Sequence, residues 1–287
     1  MSSVKIIECP RDAMQGIKTP IPTEQKVRYL QALLGCGFDT LDFGSFVSPR
    51  AIPQMADTEQ VLAALDLRQT KTKLLAIVAN LRGAQFALEH PEIQYIGYPF
   101  SISENFQMRN THKTIEESIV VLQDILTLAG QRKVEVVTYL SMGFGNPYGD
   151  PWSPEIVAKW TQTLVDMGCK IISLSDTVGA ATPEVISALF NLVIPEFPEV
   201  EFGAHLHTAP GSWRQKVDAA YRAGCRRFDG AIQGFGGCPM AKDELTGNMP
   251  TEKLLSYCAE QKIDHGVQMS RFESAFNKAS DLFLNYH

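Results

Sequence analysis

Apolar positions along the chain alternate between two rhythms. Eight short runs are dense in Val, Ile and Leu: residues 4–10 (VKIIECP), 40–45 (TLDFGS), 73–79 (KLLAIVA), 93–101 (IQYIGYPFS), 134–142 (VEVVTYLSM), 170–177 (KIISLSDT), 200–207 (VEFGAHLH) and 226–233 (RRFDGAIQ). Near-continuous apolar runs of this length read as strands covered on both faces, the habit of a parallel sheet. Between them lie longer stretches with helical spacing. One runs from Pro22-Thr23 to about Gly35, and others start near Thr58, Thr114, Ser153, Pro183 and Trp213. Several starts carry recognisable chemistry: Thr23 as an N-cap, Thr114 with Glu117 three residues on, and Ser153 ahead of Pro154. Gly35, Gly168 and Gly224 stand just before strands, where a helix C-terminus favours a residue tolerant of positive φ.

Eight strands alternating with helices predict an α/β fold closed as a (β/α)8 TIM barrel, whose usual size is ~250 residues. A doubly wound open sheet is the competitor. No G-x-G-x-x-G follows the first strand, and polar residues gather at the C-terminal ends of several strands, which favours the barrel. Residues 269–287 predict a terminal amphipathic helix with Phe272, Phe276, Ala279 and Phe283 along one side. The expectation is one barrel domain over residues 1–287 with that helix packed on it.

Composition narrows the partners. The net charge of −6 and the lack of a long basic run argue against nucleic acid or an anionic membrane. No apolar run approaches the ~18 residues a membrane span needs. The six cysteines, Cys9, Cys36, Cys169, Cys225, Cys238 and Cys258, are scattered with no C-x-x-C, and the first residues lack a leader's apolar run. Free thiols in a reducing cytoplasm are the expectation.

A barrel carries its chemistry at the C-terminal ends of its strands. The first strand leads to Arg11-Asp12, with Gln15 beyond; the second holds Asp42; the sixth ends in Ser175-Asp176-Thr177. The seventh ends in His205 and His207, which share one face because strand side chains alternate. After the eighth comes the loop 234–248, with Cys238 and Asn248. Closure sets the eighth strand beside the seventh and the first, so Asp12, both histidines and a carboxamide from this loop can converge. That donor set suits Mg²⁺ or Mn²⁺ with water or substrate completing the shell, and Zn²⁺ or Fe²⁺ fits the same donors. Cys238, set among glycines, suits a reagent better than a structural ligand. Taken singly, each feature has a plain structural alternative: an H-x-H pair at a barrel rim, an ion pair at a helix start, an inert thiol. Their conjunction points to a site.

The segments VKIIECPRDAMQG, GSFVSPRAIPQMAD, GNPYGD, ISLSDTVGAATP, the H-x-H pair and GFGGCPMA…TGN resemble, in the same order, the 3-hydroxy-3-methylglutaryl-CoA lyase family. The likeness runs from Val4 to about Glu252. The glycine-rich loop is its most specific element; Arg-Asp and H-x-H are shared with a wider superfamily of metal-dependent aldolases and Claisen-condensing enzymes. The resemblance implies a carbon–carbon lyase that binds Mg²⁺ or Mn²⁺ and cleaves 3-hydroxy-3-methylglutaryl-CoA to acetyl-CoA and acetoacetate. It also implies a homodimer and a place in leucine degradation and ketone body metabolism. By matching position it implies Asp12, His205, His207 and Asn248 as metal ligands. Arg11 would stabilise the enolate and, with Gln15, meet the substrate. Asp42 takes the place of a catalytic glutamate, Asp176 matches an acidic residue near the reacting group, and Cys238 matches the loop cysteine.

This chemistry explains the residue types. A retro-Claisen cleavage removes a hydroxyl proton and releases an acyl-CoA enolate. Arg11 offers a fixed positive charge to the thioester oxygen. Asp176, Asp42 and a histidine are candidates for the base, with Asp176 slightly favoured. A thiol with a pKa near ~8.5 on a glycine-flanked loop, Cys238, can protonate the enolate carbon. Arg50, Arg109 and Lys113 lie on the rim where CoA phosphates would arrive. The chain departs from the family pattern at Ala13 (usually Gly), Asp42 (usually Glu) and Thr208 (usually Asp), and has one extra residue between Cys238 and Gly247. Two rivals stay open: a condensing enzyme or aldolase of the same superfamily, which shares Arg-Asp and H-x-H, and, motivated by Ala13, Asp42 and Thr208, a barrel that binds metal or acyl-CoA without turnover.

Overall fold

All eight apolar runs fold as parallel strands, five of them shorter than the run by two to four residues. They are β1 (Lys5–Glu8), β2 (Thr40–Ser45), β3 (Lys73–Ile77), β4 (Ile93–Ser101), β5 (Glu135–Ser141), β6 (Ile171–Asp176), β7 (Glu201–Thr208) and β8 (Arg227–Gly230). Each pairs with the next, and β8 pairs with β1, so the sheet closes into the predicted TIM barrel with helices around it. The computed structural model describes residues 3–237 and 246–286. A two-residue strand, β9 (Gly247–Asn248), adds to the end of β7 in the antiparallel sense.

Helix starts follow the sequence signals with one exception. Thr114 accepts from the Glu117 N–H at 3.1 Å while the Glu117 carboxylate accepts from the Thr114 N–H at 2.8 Å, a complete capping box. Ser153 caps the helix Pro154–Asp166. Thr23, however, is the first helical residue rather than the cap; its hydroxyl donates instead to Asp57 at 2.7 Å. Short helices at Pro10–Gln15, Leu81–Ala87 and Glu104–Thr111 had no visible periodicity. The first matters most, because it carries Arg11 and Asp12 on a helical turn just beyond β1.

Alternation along the strands fills the barrel in layers. Near the N-terminal mouth, Arg227 is fully buried and donates to Glu201 at 3.1 Å, while Glu201 also pairs with Lys5. Leu75, Ile77, Tyr95, Val137, Tyr139 and Ile171 form an apolar cluster within the sheet. Above it the interior turns polar again, with buried Asp42, Ser173 and Asp229 and the partly buried His205. The helices cover the outer faces of the strands with the main core.

The C-terminal helix, Met269–Tyr286, buries Phe272, Ala275, Ala279, Leu282 and Phe283, close to the predicted stripe. It braces the segment after β8. Phe283 stacks on Phe235 with ring centroids 4.2 Å apart, and Gln233 donates to Ser280. No helix among the described residues is long and apolar enough to cross a membrane.

Candidate functional site

Three elements meet at the C-terminal mouth of the barrel: the helix Pro10–Gln15, the end of β7, and the segment after β8. Register brings them together. His205 pairs with Asp229 of β8, Ile7 of β1 pairs with the same Asp229, and His207 faces Asn248 across β7 and β9. Gly236 seals the junction: its φ is +81°, and a Cβ there would lie 2.6 Å from the Asp12 carbonyl oxygen. Only glycine lets the loop stem approach the Asp12 turn this closely.

Asp12, His205 and His207 each offer a ligand atom, all within 4.8 Å of one another. The hydrogen bonds fix which atoms are offered. His207 Nδ1 lies 3.0 Å from the Thr177 carbonyl, which can only accept, so Nδ1 carries the proton and Nε2 the lone pair. That Nε2 is buried and has no partner among the described residues. A buried acceptor without a donor is costly, so an orphan aimed at a carboxylate and a second imidazole fits a cation. Burial, then the neighbouring His205, lowers the His207 pKa, keeping the ring neutral as a ligand must be. His205 Nδ1 contacts Asp229 at 3.1 Å, the carboxylate–histidine arrangement that aims the opposite nitrogen at a metal. Asn248 adjoins the group, its amide nitrogen donating to Asp12 at 2.7 Å and to the Phe235 carbonyl at 2.9 Å.

Arg11 is buried beside this group. Its Nε lies 3.1 Å and its Nη2 2.5 Å from Asp42 Oδ2; its Nη1 donates to Asp12 and to Gln15, each at 3.0 Å. Gln15 in turn donates to Asp12 at 2.5 Å. Burial pushes the Asp42 carboxyl up to about 6, against the pull of Arg11. Burial also opposes ionisation of Asp12, but Arg11, the two histidines and the Asn248 bond together hold it below the ordinary carboxylate value.

Asp176 is buried, and both its oxygens are occupied. Lys216 donates to one at 2.7 Å and the Ala181 N–H to the other at 3.0 Å. The Lys216 ammonium also bonds the Gly179 and His207 carbonyls. Lys216 and Asp229 were not among the predicted site residues. Lys216 sits in an amphipathic helix, where lysine reads as solvent-facing; Asp229 shares a face with Arg227, and that period-two pair was the available signal. Of the rim cations, Arg50 is exposed, Arg109 lies 4.7 Å over the Tyr148 ring, and Lys113 is 3.4 Å from the Ala79 carbonyl. Cys238 lies outside the described residues.

Comparison with known proteins places this arrangement in context. A lyase of Pseudomonas aeruginosa acting on 3-hydroxy-3-isohexenylglutaryl-CoA and hydroxymethylglutaryl-CoA is 34% identical over 267 residues, 93% of this chain and 88% of that protein. The structure of the HMG-CoA lyase of Brucella melitensis superposes with a TM-score of 0.91 at 30% identity, covering 98% of this chain and 99% of that one. An HMG-CoA lyase of Acinetobacter baumannii, solved with coenzyme A and 3-methylmalate, gives 0.89 at 29% identity over 98% and 91% of the two chains. The HMGL-like family matches residues 4–278, which spans the barrel, the glycine-rich loop and most of the final helix. On sequence and on fold alike, the chain belongs to the HMGL-like family.

Proposed function

We propose that this chain is a divalent-metal-dependent lyase that cleaves 3-hydroxy-3-methylglutaryl-CoA, or a close analogue, to acetyl-CoA and acetoacetate. One observation carries the reading beyond the family likeness: the unpartnered, buried Nε2 of His207 beside His205 and Asp12. Asp12, His205, His207 and Asn248 would hold Mg²⁺ or Mn²⁺. That cation would acidify the substrate hydroxyl and fix its direction.

The remaining roles fall to side chains around it. Arg11 meets the thioester oxygen and stabilises negative charge as the enolate forms. Gln15 holds Arg11 and Asp12 in fixed relation. The base assignment moves from Asp176 to Asp42. Asp176 has a donor on each oxygen, so it fits a positioning duty shared with Lys216. Arg11 is the hydrogen-bond partner of Asp42 among the described residues, and a substrate that draws Arg11 away exposes a carboxylate whose pKa is already raised towards neutrality. The loop thiol of Cys238 then protonates the enolate carbon, a role that rests on its place in the sequence.

The test is release of acetoacetate from 3-hydroxy-3-methylglutaryl-CoA after chelation and re-addition of Mg²⁺, Mn²⁺ or Zn²⁺ in turn. Chelation should abolish turnover, and Mg²⁺ or Mn²⁺ should restore it. Failure under every metal, beside condensation of a 2-oxo acid with an acyl-CoA, would overturn the assignment.

A further inference from the structure

A second group of donors lies deeper in the barrel, beneath the one described. Cys9, His205 and Asp229 each place a ligand atom within 4.8 Å of the other two. Cys9 is the last residue before the helix Pro10–Gln15 and is 1% exposed. Among the described residues its thiol makes one weak contact, to the Ile7 carbonyl at 3.8 Å. Asp229 is 3% exposed; Oδ2 faces His205, while Oδ1 is buried with no hydrogen-bond partner among the described residues. The hydroxyl of Tyr139, whose ring stands edge-on to His205 at 5.6 Å, is likewise without one. A soft sulfur, an imidazole nitrogen and a carboxylate oxygen around one enclosed point form a donor set different in kind from the oxygen-rich set above.

We propose that Cys9, His205 and Asp229 form a second cation site, selective for thiophilic ions such as Zn²⁺ and Cd²⁺, which excludes the ion at the upper site. Binding breaks the Cys9 S–H bond and forms a sulfur–metal bond, and the proton leaves to solvent. The thiolate and the Asp229 carboxylate together cancel the two charges of the ion, so the enclosed site stays neutral. To coordinate through Nδ1, His205 must carry its proton on Nε2 instead, a tautomer shift with no net proton change. The upper group then loses that ligand. A neutral imidazole serves one site or the other, so the two occupancies compete. Mn²⁺, a harder ion, gains little from sulfur and stays above. Binding at the lower site stands on geometry alone; exclusion of the upper ion and inhibition of turnover rest on the metal-dependent lyase reading.

The probe is Cd²⁺ added to the full chain, metal-free or loaded with Mn²⁺. One equivalent should produce an ultraviolet thiolate-to-cadmium charge-transfer band and release Mn²⁺, seen as the free-ion signal in electron paramagnetic resonance. The band should persist in Cys238→Ser, and Cys9→Ala should weaken Cd²⁺ binding by more than about a hundredfold. If Cys9→Ala does not fold, cadmium nuclear magnetic resonance of the Cys238→Ser protein must still report a single sulfur ligand. A band lost in Cys238→Ser, no band at all, or Mn²⁺ retained while Cd²⁺ saturates would overturn the proposal. None of these readouts needs turnover, so failure of the acetoacetate assay leaves them interpretable.

Discussion

Lys216 and Asp176 meet at 2.7 Å with both side chains buried, and the same ammonium holds the backbone carbonyl of His207. One lysine therefore ties the exit of β6 to the strand end that presents both histidines. Removing one partner of a buried ion pair strands the other charge. Lys216→Met should cost about 3–5 kcal/mol in denaturant unfolding. Combining it with Asp176→Leu should recover most of that stability without restoring turnover. A Lys216→Met protein as stable as the parent would show that the pair carries no such weight.

Glu8 sets a pH limit on the barrel. It is fully buried on β1, accepts from the Ile232 N–H at 2.9 Å and the Thr251 hydroxyl at 2.6 Å, and burial pushes its pKa up to about 8. Between its ordinary value of 4.5 and about 8, the folded protein keeps a proton that the unfolded chain has lost. Glu8 therefore favours folding most at low pH, and this contribution is lost as pH rises through that window. Glu8→Gln keeps the shape, with its amide oxygen accepting from the Ile232 N–H and its NH2 donating to the Thr251 hydroxyl, but has nothing to ionise. The variant should gain on the parent as pH rises, by on the order of 3–5 kcal/mol at pH 9, in paired unfolding curves. Parallel curves would refute the shift.

Arg11 and Asp42 give a kinetic prediction. Arg11→Lys keeps the charge but loses the planar fork that spans Asp42, Asp12 and Gln15. It should lower kcat by about 10²–10³-fold, with a smaller change in KM. Asp42→Glu, which restores the residue usual in the family, adds a methylene at a position with no exposed surface. It should cost about 1–3 kcal/mol of stability, measured by thermal or denaturant unfolding.

Metal affinity offers a test independent of turnover. Asn248→Ala should weaken Mn²⁺ binding by about 10–100-fold in calorimetry. Gly236→Ala should do so as well, because its Cβ would push the loop stem off the Asp12 turn. Unchanged affinity in both would remove Asn248 from the proposed ligand set.

What the sequence disclosed divides along physical lines. Strands and long helices were legible because their apolar periods are dictated by burial, and the Thr114–Glu117 box because it is local. The convergence of Asp12, His205, His207 and Asn248 was legible because barrel closure leaves few alternatives for strand ends. Lys216 with Asp176 was not, since forty positions separate the partners and helix periodicity does not distinguish a buried lysine from a solvated one. Asp229 was missed because its importance lies in pointing inward beneath His205, which only the strand register fixes. The helical turn bearing Arg11 and Asp12 spans six residues, too few to show a period.

The stack of Phe283 on Phe235 has a temporal consequence. The Phe235 carbonyl holds Asn248, so the carboxamide's aim is secured by a ring that leaves the ribosome dozens of residues after β8. A nascent chain can close its sheet before it can grip an ion firmly. The proposed grip on the ion therefore waits for the helix that carries Phe283.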